Sequence, residues 1–242
     1  MSFYSSISSY YDTIFPLSED QLQFIESKAH PINQKNILEI GCGTGNLALA
    51  LAERGATVSG IDYSDEMVTI ANTNLSKSKQ ANIIFQKMDM NDIHKHFIKN
   101  SFDIIVCFGN TLPHLDNKSD LISFITKCHL LLKKNGKLLI QLVNYDWVAK
   151  HKIESLPTKN NTEISFERKY RKENNKIRFD TTLTLKETHS IIQNSELLLP
   201  IYKADLVSTL KDHLFSIINY YGDFTLSDYS DDKNGLVIEA CV

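Results

Sequence analysis

The sequence predicts an α/β fold, a doubly wound and mostly parallel sheet of seven strands that carries a small antiparallel β insertion. Three observations point there. Asn36-Ile-Leu-Glu-Ile-Gly-Cys-Gly-Thr-Gly-Asn-Leu-Ala-Leu-Ala-Leu-Ala52 reads as strand, tight turn and helix in immediate succession. Short apolar runs at 102–107 and 137–143 have the character of strands buried on both faces by helices. Between residues 163 and 186 the pattern changes to period two, the mark of a half-exposed antiparallel pair.

Within the first stretch, Ile37, Leu38 and Ile40 form an apolar run that stops at Gly41. Gly41, Gly43 and Gly45 let the backbone take positive φ and leave room for a ligand against the main chain. Leu47, Ala48, Leu51 and Ala52 then mark one face of a helix whose amino end points back at the turn. A dinucleotide site needs G-x-G-x-x-G. Here the third glycine comes one residue early and Glu39 precedes the turn, a carboxylate unsuited to pyrophosphate and suited to a cationic amino-acid group. The sequence E-I-G-C-G-T-G resembles motif I of the class I S-adenosylmethionine-dependent methyltransferases. That resemblance implies a Rossmann-like seven-stranded sheet with an antiparallel last strand, and S-adenosyl-L-methionine as cofactor with S-adenosyl-L-homocysteine as product.

The totals fit one domain. At 242 residues, with 42% hydrophobic and 23% charged residues, the chain has the composition of an ordinary globular protein. A formal charge of −3 speaks against broad nucleic-acid binding and favours a small-molecule partner. Cys42, Cys107, Cys128 and Cys241 are scattered without a C-x-x-C pair, so neither a zinc site nor a disulfide framework is indicated, and no metal is expected. No secretory leader and no apolar run of membrane-spanning length is apparent, and a cytoplasmic location without membrane attachment is expected.

Taken in order, residues 1–35 read as a helical cover: aromatics Phe3, Tyr4, Tyr10, Tyr11 and Phe15, then a helix from Ser18 to His30 capped by Ser18 and followed by Pro31. Y-Y-D-T-I-F at 10–15 resembles the segment with which small-molecule methyltransferases cover the cofactor; a helix hairpin packed on the sheet is the alternative. Residues 36–145 read as the cofactor-binding core. Its second strand ends at Asp62, where an acidic side chain is positioned to accept from ribose hydroxyls. Ser64 caps the next helix. In the resembled family Tyr63 and Met67 flank the adenine, although Met67 also suits core packing. After the third strand, at 82–86, Asp89 is both an adenine-amino acceptor by resemblance and a helix cap by position, with Met90 beside it. The fourth strand, 102–107, delivers Phe108 and the loop Gly109-Asn-Thr-Leu-Pro-His-Leu115 to the same edge. An amphipathic helix from 119 to 132 ends in Lys133-Lys-Asn-Gly136, read as a glycine stop before the fifth strand. Residues 156–190 read as a hairpin turning at Glu173-Asn-Asn, either a substrate lid or an edge for homodimer contact. Residues 200–242 supply a helix from 202 to 213 and a closing strand pair.

G-N-T-L-P-H-L, Asn144-Tyr-Asp146 and Tyr221-Gly-Asp-Phe224 look like the glycine and sarcosine N-methyltransferase branch. The resemblance gives Asn110 a role at an amino acceptor. That branch carries an arginine before N-Y-D to pair with the glycine carboxylate, and here Val143 stands there, so Arg168, Arg171 or Arg178 would have to substitute. Methyl transfer to a small molecule, at nitrogen, is the function the resemblance implies. His114 reads as a proton acceptor or as a structural histidine, and Tyr11 as an orienting group. The rivals are an RNA or protein methyltransferase, which would want a basic face or a [DN]-P-P-[YF] loop, a non-catalytic S-adenosylmethionine-binding regulator, and an NAD-dependent oxidoreductase, which the glycine spacing disfavours.

Overall fold

The computed structural model describes residues 3–242. The amino-terminal part holds α1 (Phe3–Ile7), α2 (Tyr11–Ile14) and α3 (Glu19–Lys28), the last opened by a capping box between Ser18 and Gln21. The core then alternates: β1 (Asn36–Ile40), α4 (Asn46–Glu53), β2 (Thr57–Asp62), α5 (Asp65–Lys77), β3 (Ile83–Lys87), α6 (Ile93–His96), β4 (Phe102–Cys107), α7 (Lys118–Leu131), β5 (Leu132–Val143) and α8 (Tyr145–Lys150). Four antiparallel strands follow, β6 (Ser155–Asn160), β7 (Ile164–Glu173), β8 (Lys176–Leu185) and β9 (Ile191–Leu198), and then α9 (Lys203–Asp212), β10 (Ile217–Tyr221) and β11 (Gly235–Cys241).

The main sheet has seven strands in the order β10-β11-β5-β4-β1-β2-β3, and β11 runs antiparallel to both its neighbours. Strand residues alternate between the two faces. Leu38, Ile40 and Ile105 join the core beneath α7 and α9, whereas Ile37, Ile104 and Val106 join the opposite core with Phe24, Leu47 and Leu51. Chain order reverses between β1 and β4, which opens a crevice at the carboxyl ends of these strands. That crevice is where the polar residues singled out from the sequence converge.

Three expectations change. The insertion is a four-stranded sheet, β6-β7-β8-β9, rather than a hairpin. Its outer strands carry weak signals: β6 contains Pro157, and β9 reads Ile-Ile-Gln-Asn-Ser-Glu-Leu-Leu with an exposed Ile191. Gly136 is not a helix stop, because Leu132 already pairs with Phe102 on the sheet, the left-handed residue is Asn135 at φ 63°, and a Cβ on Gly136 would meet the Lys133 carbonyl at 2.7 Å. Finally, α1 and α2 pack on the insertion, with Ile7 and Ile14 buried against Ile164, Phe166 and Leu183, whereas α3 packs on the main sheet through Leu22, Phe24 and Ile25.

One ionic cluster ties the far edge together. Glu239 on β11, only 6% exposed, pairs with Lys28 of α3 at 3.0 Å and Lys137 of β5 at 2.8 Å, and accepts from Asn219 of β10 at 3.3 Å. Burial pushes its pKa up, but the hydrogen bonds from Lys137, Lys28 and Asn219 outweigh it and hold the carboxyl below its ordinary 4.5. Glu239→Gln strands two part-buried ammonium groups and is expected to cost about 3 kcal/mol, a fall of roughly 10 °C in Tm. The depressed pKa also means stability present above pH 4.5 and lost as pH falls below it, a loss smaller in the variant. Thermal unfolding across pH checks both, and a change in Tm under about 2 °C would show the cluster to be energetically idle.

Candidate active site

Gly41, Gly43 and Gly45 take φ of 75°, 54° and 82°. The Gly41 and Cys42 N–H groups donate to the Ile61 carbonyl at 2.8 and 2.9 Å, and the Gly43 N–H donates to Asp62 Oδ2 at 2.9 Å. Asp62 Oδ1 accepts from the Ser64 N–H at 2.9 Å. Burial raises the Asp62 pKa, while backbone donors at Ser64, Gly43 and Tyr63 oppose the rise. The carboxylate keeps lone-pair capacity for a hydroxyl group.

Two cavities open beside this turn. The first, about 320 Å³, is lined by Asp62, Tyr63, Met67, Asp89 and Met90 among others. Tyr63 is 70% exposed at its mouth. Met67, 1% exposed, sits at the wall of this cavity. Asp89 Oδ1 accepts from the Asn91 N–H at 2.8 Å, capping a short turn, and the residue also lines the cavity. The second cavity, about 350 Å³, is lined by Glu39, Phe108, Asn110, Val143, Lys159 and Arg168 among others. Tyr4, Tyr11, Gly41, Gly109 and His114 line both. They form the shared wall.

That wall is desolvated. The His114 ring accepts or donates through Nε2 to the Tyr4 hydroxyl at 2.9 Å, and burial alone lowers its pKa to about 4. Burial, with Asp62 and Glu39 nearby, raises the Tyr11 phenol far above its ordinary value. Glu39 is buried with Oε2 unpaired among the described residues, and burial first, then the Asp62 charge, pushes its pKa up to about 8. A protonated carboxyl at neutral pH waits there.

Two residues singled out as cofactor contacts take part in packing. Gly45 lines neither cavity; a Cβ there would meet the Phe85 ring at 2.5 Å, so its part is close packing of α4 on β3. Phe108 faces the second cavity only and packs with Phe24 and Phe224, at centroid distances of 6.3 and 4.9 Å, as part of the core. Asn110 reaches the second cavity, but its φ of 63° and the bond from the Val143 N–H to its Oδ1, 3.1 Å, give it a structural task as well. Tyr4 and Thr111 were not singled out. Thr111 sits so close to Gly41 that a Cβ on that glycine would clash with its Oγ1, a contact no local pattern displays. Of the three hairpin arginines, only Arg168 reaches the cavity; Arg171 pairs with Asp180 and Arg178 with Glu173.

Sheet order, switch-point crevice and glycine turn define the fold of the class I methyltransferases. The chain belongs to the methyltransferase-domain family, whose profile matches residues 33–203. It is 30% identical over 139 residues to the ubiquinone biosynthesis O-methyltransferase of Histophilus somni (strain 2336), covering 56% of each chain. It is 33% identical over 129 residues to the protein of the same name from Coxiella burnetii (strain Dugway 5J108-111), covering 53% of this chain and 52% of that one. The chain thus spans about half the length of these curated relatives. Among solved structures, an S-adenosylmethionine-dependent methyltransferase from Clostridium acetobutylicum ATCC 824 superposes with a TM-score of 0.83 at 15% identity, over 99% of this chain and 98% of that one. The CcbJ methyltransferase from Streptomyces caelestis gives 0.82 at 16%, over 99% and 97%.

The cofactor of that class, S-adenosyl-L-methionine, fits the residues present. Glu39 Oε2 is, among the described residues, an unpaired buried acceptor suited to an ammonium group, and Gly41 and Gly43 line the adjoining cavity. Asp62 would hold the ribose hydroxyls. If Glu39 meets that ammonium group as a carboxylate, it must lose the proton it holds below pH 8. Binding of S-adenosyl-L-homocysteine at pH 7 is therefore expected to release most of one proton, read as a dependence of calorimetric enthalpy on buffer ionisation enthalpy. Glu39→Gln removes the dependence, and buffer-independent binding by the unaltered protein would refute the assignment.

Proposed function

We propose that this chain transfers a methyl group from S-adenosyl-L-methionine to a small-molecule acceptor, at nitrogen. The observation that carries the reading is the shared wall of Tyr4, Tyr11, Gly41, Gly109 and His114, across which a nucleoside-sized cavity faces a second of similar volume. A cavity of about 350 Å³ suits a small molecule rather than a nucleic acid or a folded protein. Among the described residues no helix is long and apolar enough to cross a membrane.

When bound, the cofactor supplies a methyl already activated by its sulfonium charge, so this chain's residues have mainly to orient the acceptor and exclude water. Glu39, Gly41, Gly43, Asp62, Tyr63, Met67, Asp89 and Met90 hold the cofactor; Asn110, His114 and Tyr11 face the acceptor. Buried phenols and a neutral imidazole make the wall a hydrogen-bonding surface without net charge. A histidine with a pKa of about 4 is a poor general base for a hydroxyl, which supports an amine that needs only a free lone pair. The glycine-and-sarcosine-like loop supports nitrogen, and one structural neighbour is described as a sugar N-methyltransferase. Oxygen is the second reading, favoured by the names of the ubiquinone biosynthesis O-methyltransferases.

Product assays with pooled small amines and pooled catechols decide. Formation of S-adenosyl-L-homocysteine with amines alone is expected; turnover of catechols alone transfers the reading to oxygen, and binding without turnover of either points to a regulator. His114→Gln should keep cofactor binding and lower kcat/KM by about tenfold or more through loss of orientation. His114 also has a stability signature. Its proton is taken up more readily by the unfolded chain, so stability is full above the ordinary pKa of 6.5 and falls as pH drops towards 4, by up to about 3 kcal/mol. Unfolding titrations of His114→Gln between pH 7 and 4 should lack that slope.

A further inference from the structure

Lys159 of β6 and Arg168 of β7 line the second cavity side by side. Among the described residues neither has an ion-pair partner, whereas Arg171 and Arg178 on the same sheet each hold a carboxylate, at 2.6 and 2.5 Å. Lys159 Nζ donates to the Ile14 carbonyl at 2.7 Å and lies 4.5 Å from the Phe15 ring centroid. Arg168 donates from Nη2 to the Pro157 carbonyl at 2.7 Å, and its Nε is buried with no acceptor. Two adjacent cations, part-buried and turned to a cavity, are costly unless an anion completes them. Burial and mutual repulsion lower the Lys159 pKa, and burial lowers that of Arg168. Leu156, Val143, Tyr170, Phe179 and Phe15 supply apolar and aromatic surface around the pair.

Resting on the methyltransferase reading, we infer that Lys159 and Arg168 form an oxyanion subsite for the methyl acceptor, which is therefore a small molecule with a carboxylate on an apolar body. The cofactor's own amino-acid carboxylate is the other source of the same chemistry. The glycine turn is flanked on this cavity's wall by Glu39 and Asp12, while both cations belong to the insertion, which favours the acceptor. The insertion thus selects the acceptor by charge as well as covering it.

Benzoate and benzamide are matched probes of one shape that differ in charge. Their affinities for the complex with S-adenosyl-L-homocysteine, by calorimetry or saturation-transfer NMR, are expected to differ by about tenfold or more in favour of benzoate. Arg168→Met and Lys159→Met should each remove most of that preference without changing S-adenosyl-L-homocysteine affinity, and Arg168→Lys should restore part of it. Equal binding of the two probes overturns the inference. So does a loss of S-adenosyl-L-homocysteine affinity in Arg168→Met, which would assign the cations to the cofactor's carboxylate. If Arg168→Met fails to fold, Lys159→Met and the probe ratio of the unaltered protein decide alone. Failure of S-adenosyl-L-homocysteine to bind at all, with an arginine-dependent benzoate preference intact, would instead sink the methyltransferase reading and keep the anion subsite.

Discussion

The glycine turn after β1 is fastened to the end of β2 by the Gly41 and Cys42 N–H groups on the Ile61 carbonyl and by the Gly43 N–H on Asp62. Everything else in the crevice is referred to that junction. Because the turn has three residues at positive φ, it can fold back within hydrogen-bond reach of the neighbouring strand and still leave its outer surface bare. Asp62 is then held by two backbone donors before any ligand arrives, so the carboxylate is preorganised rather than recruited. Close packing of Gly45 on Phe85 and of Gly41 on Thr111 locks the turn from its other sides.

Around that junction the protein has removed water from ionisable groups and left them neutral. Glu39, Tyr11, Tyr4 and His114 all shift towards their uncharged forms, each chiefly through burial. A wall of neutral hydrogen-bonding groups suits a reaction in which a positive charge moves from cofactor to acceptor, since a fixed cation on the wall would oppose it. The two uncompensated cations of the second cavity stand on the insertion, on β6 and β7, away from the glycine turn's own strands.

The amino-terminal helices matter for the same reason. Ile7 and Ile14 anchor α1 and α2 to the insertion, and Tyr4 and Tyr11 thereby reach across to the crevice. Tyr11 lies against Gly43, where an added Cβ would be 3.0 Å from its ring. The cover and the insertion behave as one packed unit that completes a site begun by the main sheet.

What the sequence determined by itself is the central scaffold. Continuous apolar runs, caps at Ser18 and Ser64, and the glycine turn are local signals, and each sets nearby backbone without help from distant residues. The caps that Asp62 and Asp89 make on Ser64 and Asn91 are local for the same reason, although Asp62 is also held by the Gly43 N–H from the glycine turn. Tertiary structure alone decided the rest. That Gly45 packs on Phe85, that Phe108 joins an aromatic core with Phe24 and Phe224, and that β6 and β9 pair at all depends on surfaces more than thirty residues apart or on weak edge patterns. Choosing Arg168 from three candidate arginines required knowing which ones a neighbouring carboxylate already held, and strand alternation carries no record of cross-strand charge partners until the register is formed.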